Sequence, residues 1–188
     1  MKQILKEGDR VKITRIGDKV IKEYSAPKDH IDETWLLYYQ TYAAKYNGVV
    51  KVYEADKHHI MMDYIEGKNL NYILWNEPEL YDHQFTYKSF AAILQSLTNM
   101  AEFSSTKDDV WFHEDAGTHN FMYTGKEFIL MDPDSFALND NPYPGTFVSS
   151  LHPLHNILEA VHTMHRIKYE EKMQLKEKSP LHLQKTVV

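Results

Sequence analysis

The stretch His113-Glu-Asp-Ala-Gly-Thr-His-Asn-Phe-Met-Tyr-Thr-Gly-Lys-Glu-Phe-Ile-Leu-Met-Asp-Pro-Asp-Ser-Phe136 decides how this chain is read. Residues 121–123 and 128–131 are apolar runs, and Thr124-Gly125-Lys126-Glu127 between them has turn chemistry. That pattern predicts an antiparallel hairpin. Asn120, just before its first strand, then sits across from Asp132, just after its second. An amide oxygen and a carboxylate held side by side suit a hard cation such as Mg2+. Asp115, on the loop leading in, is placed to take a proton from a nucleophile. A base and a metal holder are parts that phosphoryl transfer requires.

Working outward, residues 3–6, 10–15 and 19–24 read as three strands. Gly8-Asp9 and Gly17-Asp18 separate them as hairpin turns. The third strand places Val20, Lys22 and Tyr24 on one face. Pro27 and Asp29 signal a helix start, and a helix is expected to about residue 46. Its apolar positions Ile31, Trp35, Tyr38, Tyr39 and Tyr42 follow helical spacing, and Asn47-Gly48 stops it. Residues 49–55 and 59–64 form another strand pair. Asp63 to Leu70 then leaves the sheet for helical sequence. A long helix over about 87–104 precedes the Asp115 loop, and a last helix is expected over about 149–176.

His113-x-Asp115-x-x-x-x-Asn120 followed by Asp132 resembles the catalytic loop and metal-binding aspartate of the protein-kinase-like superfamily. The element order before it resembles the small lobe of that fold, and residues 62–67 resemble its hinge. The run Asp132-Pro133-Asp134-Ser135-Phe136 is similar to the Asp-Pro-x-Ser-Phe ending of small early serine/threonine kinases of lytic tailed bacteriophages. The resemblance covers residues 1 to about 140. It implies an α+β, minimal two-lobed fold, with a sheet-based lobe over 1–66 and a mainly helical lobe over 67–188. It implies an enzyme that uses ATP and Mg2+ to phosphorylate serine or threonine hydroxyls of a protein, phage-encoded and acting on host proteins in the host cytoplasm.

The same resemblance assigns roles. Lys22 pairs the nucleotide phosphates, and Glu33, with Asp32 as its competitor, holds Lys22. Met62 and Tyr64 contact the nucleotide from the hinge. Asp115 is the base, and Asn120 and Asp132 hold Mg2+. His113 is structural. Several features depart from the family. Gly8 stands without a G-x-G-x-x-G pattern, Glu114 stands where many protein kinases have arginine, and no Ala-Pro-Glu follows Phe136. Without that arginine, constitutive activity is expected. His119 is either a phosphate contact or a plain loop histidine. Asp134 either touches a second metal or caps Ser135-Phe136. Kinase-like folds also phosphorylate aminoglycosides, choline and sugars, so a small-molecule kinase is the first alternative. A non-catalytic kinase-fold interaction protein is the second.

Composition bounds the rest. At 188 residues, 43% of them hydrophobic, the chain is long enough for one core or for two small lobes. Thirteen tyrosines and three tryptophans supply bulky filling. A formal charge of −6 argues against a nucleic-acid partner. With no cysteine there is no disulfide framework, and neither a signal peptide nor a membrane span is expected. Eleven histidines include His152, His155, His162 and His165 near the last helix, read as polar helix positions rather than zinc ligands. The sequence leaves the oligomeric state open.

Overall fold

A computed structural model describes residues 2–77, 83–105, 110–113, 115 and 117–139. The helix expected over 149–176, its histidines and Glu114 lie outside the described residues. Helices and antiparallel sheets are combined in an α+β arrangement. Five strands, β1 (Lys2–Glu7), β2 (Val11–Ile16), β3 (Lys19–Tyr24), β4 (Val52–Asp56) and β5 (His59–Asp63), form one sheet in the order β1-β2-β3-β5-β4. Every neighbouring pair is antiparallel. The β2–β3 turn needs its glycine, because Gly17 sits at φ +66°, where side chains with a Cβ are strained.

Strand alternation decides which residues face inward. Val20 and Lys22 of β3 are buried, as are Ile60 and Met62 of β5 and Val52 of β4. A lysine on the buried face is unusual unless it is paired. Helix α1 (Glu33–Lys45) packs against the sheet and buries Trp35, Tyr39 and Tyr42. It starts later than Pro27 and Asp29 suggest. Lys28 N–H donates to Lys57 C=O (2.7 Å) and Ile31 N–H to Lys28 C=O (3.0 Å), which keeps that segment out of the helix. Asp32 is the N-cap, accepting from Trp35 N–H at 2.8 Å.

The second half contains α2 (Leu70–Asn76), α3 (His83–Ser105) and two small sheets. One pairs β6 (Lys68–Asn69), β8 (Phe121–Tyr123) and β9 (Phe128–Leu130), and the other pairs β7 (Val110–His113) with β10 (Phe136–Asn139). The expected hairpin is β8–β9, with Phe121 opposite Leu130 and Tyr123 opposite Phe128. Gly67 lets the connector from β5 pass close to it, since a Cβ there would lie 2.4 Å from Tyr123 O. The loop after α1 joins the same hairpin: Leu130 N–H donates to Gly48 C=O (2.7 Å), and Val50 N–H donates to Leu130 C=O (3.0 Å).

The core is aromatic where α1, α3 and β10 meet. Trp35 stacks on Tyr39 at 5.2 Å, and Phe136 lies 5.1 Å from Tyr39 and 5.3 Å from Tyr42. Tyr42 also meets Phe103 of α3 at 5.4 Å. Each such pair adds about 0.5–1.5 kcal/mol beyond its buried area. Trp35 Nε1–H donates to Phe136 C=O at 2.8 Å, and Tyr39 O–H to Val50 C=O at 2.8 Å. Among the described residues, no helix is long and apolar enough to cross a membrane.

Candidate functional site

Short polar residues shape the loop between β7 and β8. Residues Thr118–Asn120 form one 3-10 turn, closed by Asn120 N–H donating to Gly117 C=O at 2.9 Å. The start of α2 holds this turn from below. Asn69 caps α2 through Tyr72 N–H and also donates its amide to His119 C=O. Thr118 Oγ1 donates to Asn71 Oδ1 at 3.2 Å. Asn120 Nδ2 donates to Asp115 C=O at 2.6 Å, so its amide oxygen remains the atom suited to a cation. Its own C=O accepts from Met131 N–H at 2.7 Å, which sets Asp132 beside it in the chain direction expected of the hairpin.

His113 sits beneath this loop with no exposed surface. Its Nδ1 accepts from Asp115 N–H at 3.2 Å, so the ring proton belongs on Nε2, which donates to Met131 C=O at 3.2 Å. The ring meets Phe136 edge-on at 4.8 Å. Burial lowers its pKa below the usual histidine value, more than Met131 C=O and the nearby aspartates raise it. A neutral imidazole thus ties the Asp115 loop to the segment entering Asp132.

Asp132 has φ 62° and ψ 59°, the only positive φ outside glycine among the described residues. Such a conformation costs of order 1–3 kcal/mol and persists only where its surroundings enforce it. Pro133–Ser135 follows as a 3-10 turn, with Ser135 N–H on Asp132 C=O (3.0 Å) and Ser135 Oγ donating to Asp132 Oδ2 (2.9 Å). Asp132 Oδ1 pairs with Lys22 Nζ, and so does Asp134 Oδ1. Burial works against the Lys22 ammonium, but the two carboxylates outweigh it and raise its pKa. Burial alone would raise Asp132 as well; Lys22 and Ser135 hold it below the ordinary carboxylate value.

The partner expected for Lys22 is therefore corrected. Glu33 is exposed in the first turn of α1, and Asp32 is engaged as the N-cap. The inward face of α1 carries Trp35, Tyr39 and Tyr42, which leaves no carboxylate pointing at β3. The sequence leaves two roles open for Asp134; in the structure its carboxylate faces lysines. It is buried, with Lys22 on one oxygen and Lys28 Nζ 3.6 Å from the other. His30 Nε2–H donates to its C=O at 3.0 Å.

A cavity of about 240 Å³ is lined by Lys22 and Asp132. Ile13 and Val20 of the large sheet line it, as do Met122 and Met131 of the hairpin. Met62, Asp63, Tyr64 and Ile65 close one side, and Lys22, Asn120, Asp132 and His119 supply the polar end. The sequence-predicted residues Lys22, Met62, Tyr64, Asn120 and Asp132 are thus brought to one cavity; Glu33 is not among them. The connector is held firmly: Tyr64 N–H donates to Asp18 C=O (2.8 Å), the Arg15 guanidinium lies 3.6 Å from the Tyr64 ring centre, and Lys19 pairs with Asp63 at 2.6 Å. Asp115 projects outward, its carboxylate accepting from His119 Nε2–H at 2.9 Å. The apolar lining from Ile13 and Met122 escaped the sequence reading, although both lie on alternating strand faces.

An apolar slot lined at its polar end by a cation, an acid, an amide and an imidazole suits a flat ring carrying anionic groups. Among the described residues no three acidic or histidine side chains converge as a ready-made metal cage. Asn120 and Asp132 offer two oxygen donors, the incomplete set that Mg2+ takes when phosphates and waters fill its remaining positions. The donor chemistry fits that ion. The chain matches no family model and no curated protein.

Proposed function

We propose that this chain is an ATP- and Mg2+-dependent phosphotransferase with a two-lobed, protein-kinase-like architecture, acting on serine or threonine hydroxyls of a protein. The observation that carries the reading is the meeting of Lys22 and Asp132, remote in sequence, with Asn120 at the polar end of one apolar cavity. In this reading the adenine lies between Val20 and Ile13 on one side and Met122 and Met131 on the other. Lys22 meets the α- and β-phosphates. Asn120 and Asp132 would hold Mg2+, which when bound would supply positive charge to the phosphates. Asp115 orients the acceptor hydroxyl and takes its proton. The hydroxyl oxygen bonds to the γ-phosphorus, the bond to the bridging oxygen breaks, and its electron pair leaves with ADP.

The acceptor class rests on exposure. The Asp115 side chain is 55% exposed, which favours a macromolecular hydroxyl over a small molecule enclosed in a pocket. A phage-encoded enzyme acting in a host cytoplasm rests mainly on the likeness of residues 132–136. The test has two stages. ATP should raise the melting temperature, more so with Mg2+, because a ligand that binds only the folded state stabilises it by mass action. Labelled γ-phosphate should then appear on lysate protein. Label on an aminoglycoside, choline or sugar instead would assign the small-molecule class. No shift at millimolar Mg-ATP would overturn the kinase reading.

A further inference from the structure

We infer that Asp134 is the positioning carboxylate for Lys22, holding the lysine so that Asp132 is left for the metal; this rests on the function proposed above. Lys22 has two acidic partners with different surroundings. Asp132 lines the cavity and Asp134 does not. Asp134 is 7% exposed and is pinned by Lys28 and, through its carbonyl, by His30. A carboxylate so enclosed cannot follow a ligand, whereas Asp132 can exchange Lys22 for a cation.

The competition is electrostatic. Lys22 Nζ already occupies Asp132 Oδ1, and an ammonium and a divalent cation held at one carboxylate repel each other, so Mg2+ taken up by Asp132 competes with Lys22 there. If Asp132 were the only acid available, each Mg2+ would compete with a buried lysine left without a counter-charge. Asp134 removes that obstacle, since Lys22 stays paired after Asp132 is taken. The aromatic inner face of α1 explains why the helix does not supply this acid. Pro133 and the 3-10 turn fix the two aspartates at a set spacing, so anchor and metal ligand belong to a single short turn.

The experiment is a double-mutant cycle read by nucleotide-induced thermal stabilisation, with ADP as probe and Mg2+ titrated at fixed ADP. Asp134→Asn should raise the Mg2+ concentration needed for half of the Mg2+-dependent shift by roughly tenfold, as loss of a group supporting a metal ligand does. Adding Lys22→Met to that variant should remove most of this increase, because the competing ammonium is gone. If the increase survives in the double variant, Asp134 is itself a metal ligand and the inference is overturned. If Asp134→Asn titrates like the wild type, Asp134 does not position Lys22. Should Asp134→Asn fail to fold, Asp134→Glu, which keeps the charge, tests the same point: it should keep a wild-type Mg2+ midpoint, and a tenfold increase there would refute the assignment. Failure of the underlying reading is separate, since the wild type would then show no Mg2+-dependent shift at all.

Discussion

Replacing His113 with glutamine should lower stability at neutral pH and remove a specific acid sensitivity. The buried imidazole makes two hydrogen bonds, to Asp115 N–H and Met131 C=O, and one edge-on contact with Phe136. Two such bonds contribute about 1 kcal/mol each, and the ring contact another ~1 kcal/mol. Glutamine can remake one bond at best, so His113→Gln should cost about 2–3 kcal/mol at pH 7.5. The pH dependence follows from the lowered folded pKa. Below about pH 6.5 the unfolded chain binds a proton on this residue that the folded chain refuses. Stability contributed by neutral His113 is therefore present above that pH and is lost as pH falls toward the folded value. The advantage of wild type over His113→Gln should shrink by up to ~1.4 kcal/mol per pH unit below 6.5. Urea denaturation of both proteins at half-unit steps from pH 7.5 to 5.0 measures this, and taking the difference cancels the other histidines. A difference that stays constant across the range would refute a buried neutral imidazole at this position.

Other outcomes follow from the same geometry. Asp132→Asn should fold, because asparagine tolerates the left-handed conformation at φ 62°, yet it should nearly abolish labelled phosphate transfer and its Mg2+ dependence. Asp115→Ala should leave ATP affinity by calorimetry within about twofold and cut transfer by orders of magnitude, the pattern of a contact made mainly in the transition state. Gly67→Ala should lower stability by about 1–3 kcal/mol in urea, since its Cβ would fall 2.4 Å from a backbone oxygen of Tyr123 that cannot rotate away. Wild-type behaviour of the last variant would show that the chain relaxes there.

The sheet was legible because its first two turns carry glycine and its strands alternate: residues 2–24, and from alternation alone the strand pair near 52–63, were expected within a few residues. The β8–β9 hairpin was legible for the same reason. Strands β6, β7 and β10 were not, because two to four residues hold too little pattern to show a period. The start of α1 was misplaced because Asp29 and Asp32 both have capping chemistry, and only tertiary bonds from Lys28 decide between them. Lys22, Asn120 and Asp132 could be singled out by motif spacing. The partner of Lys22 could not, since nothing local announces that a buried aspartate far along the chain will turn toward a strand lysine. The one available signal was negative: α1 reads as aromatic on its inward positions, which leaves a buried lysine to find its acid elsewhere.

The attachment of α1 to residues 130 and 136 has a mechanical consequence. Trp35 Nε1–H on Phe136 C=O, and Leu130 bonded on both sides to residues 48 and 50, make the helix and the segment around Asp132 a single stiff strut. Swinging the helix outward would break three buried hydrogen bonds at about 1 kcal/mol each, together with aromatic contacts of similar size, a total near 5 kcal/mol. At a factor of ten for every 1.4 kcal/mol, the displaced form would be present in roughly one molecule in several thousand. A partner seeking to switch this protein through that helix would have to supply the whole difference from its own contacts, whereas the exposed edge strand β1 is restrained by none of these bonds.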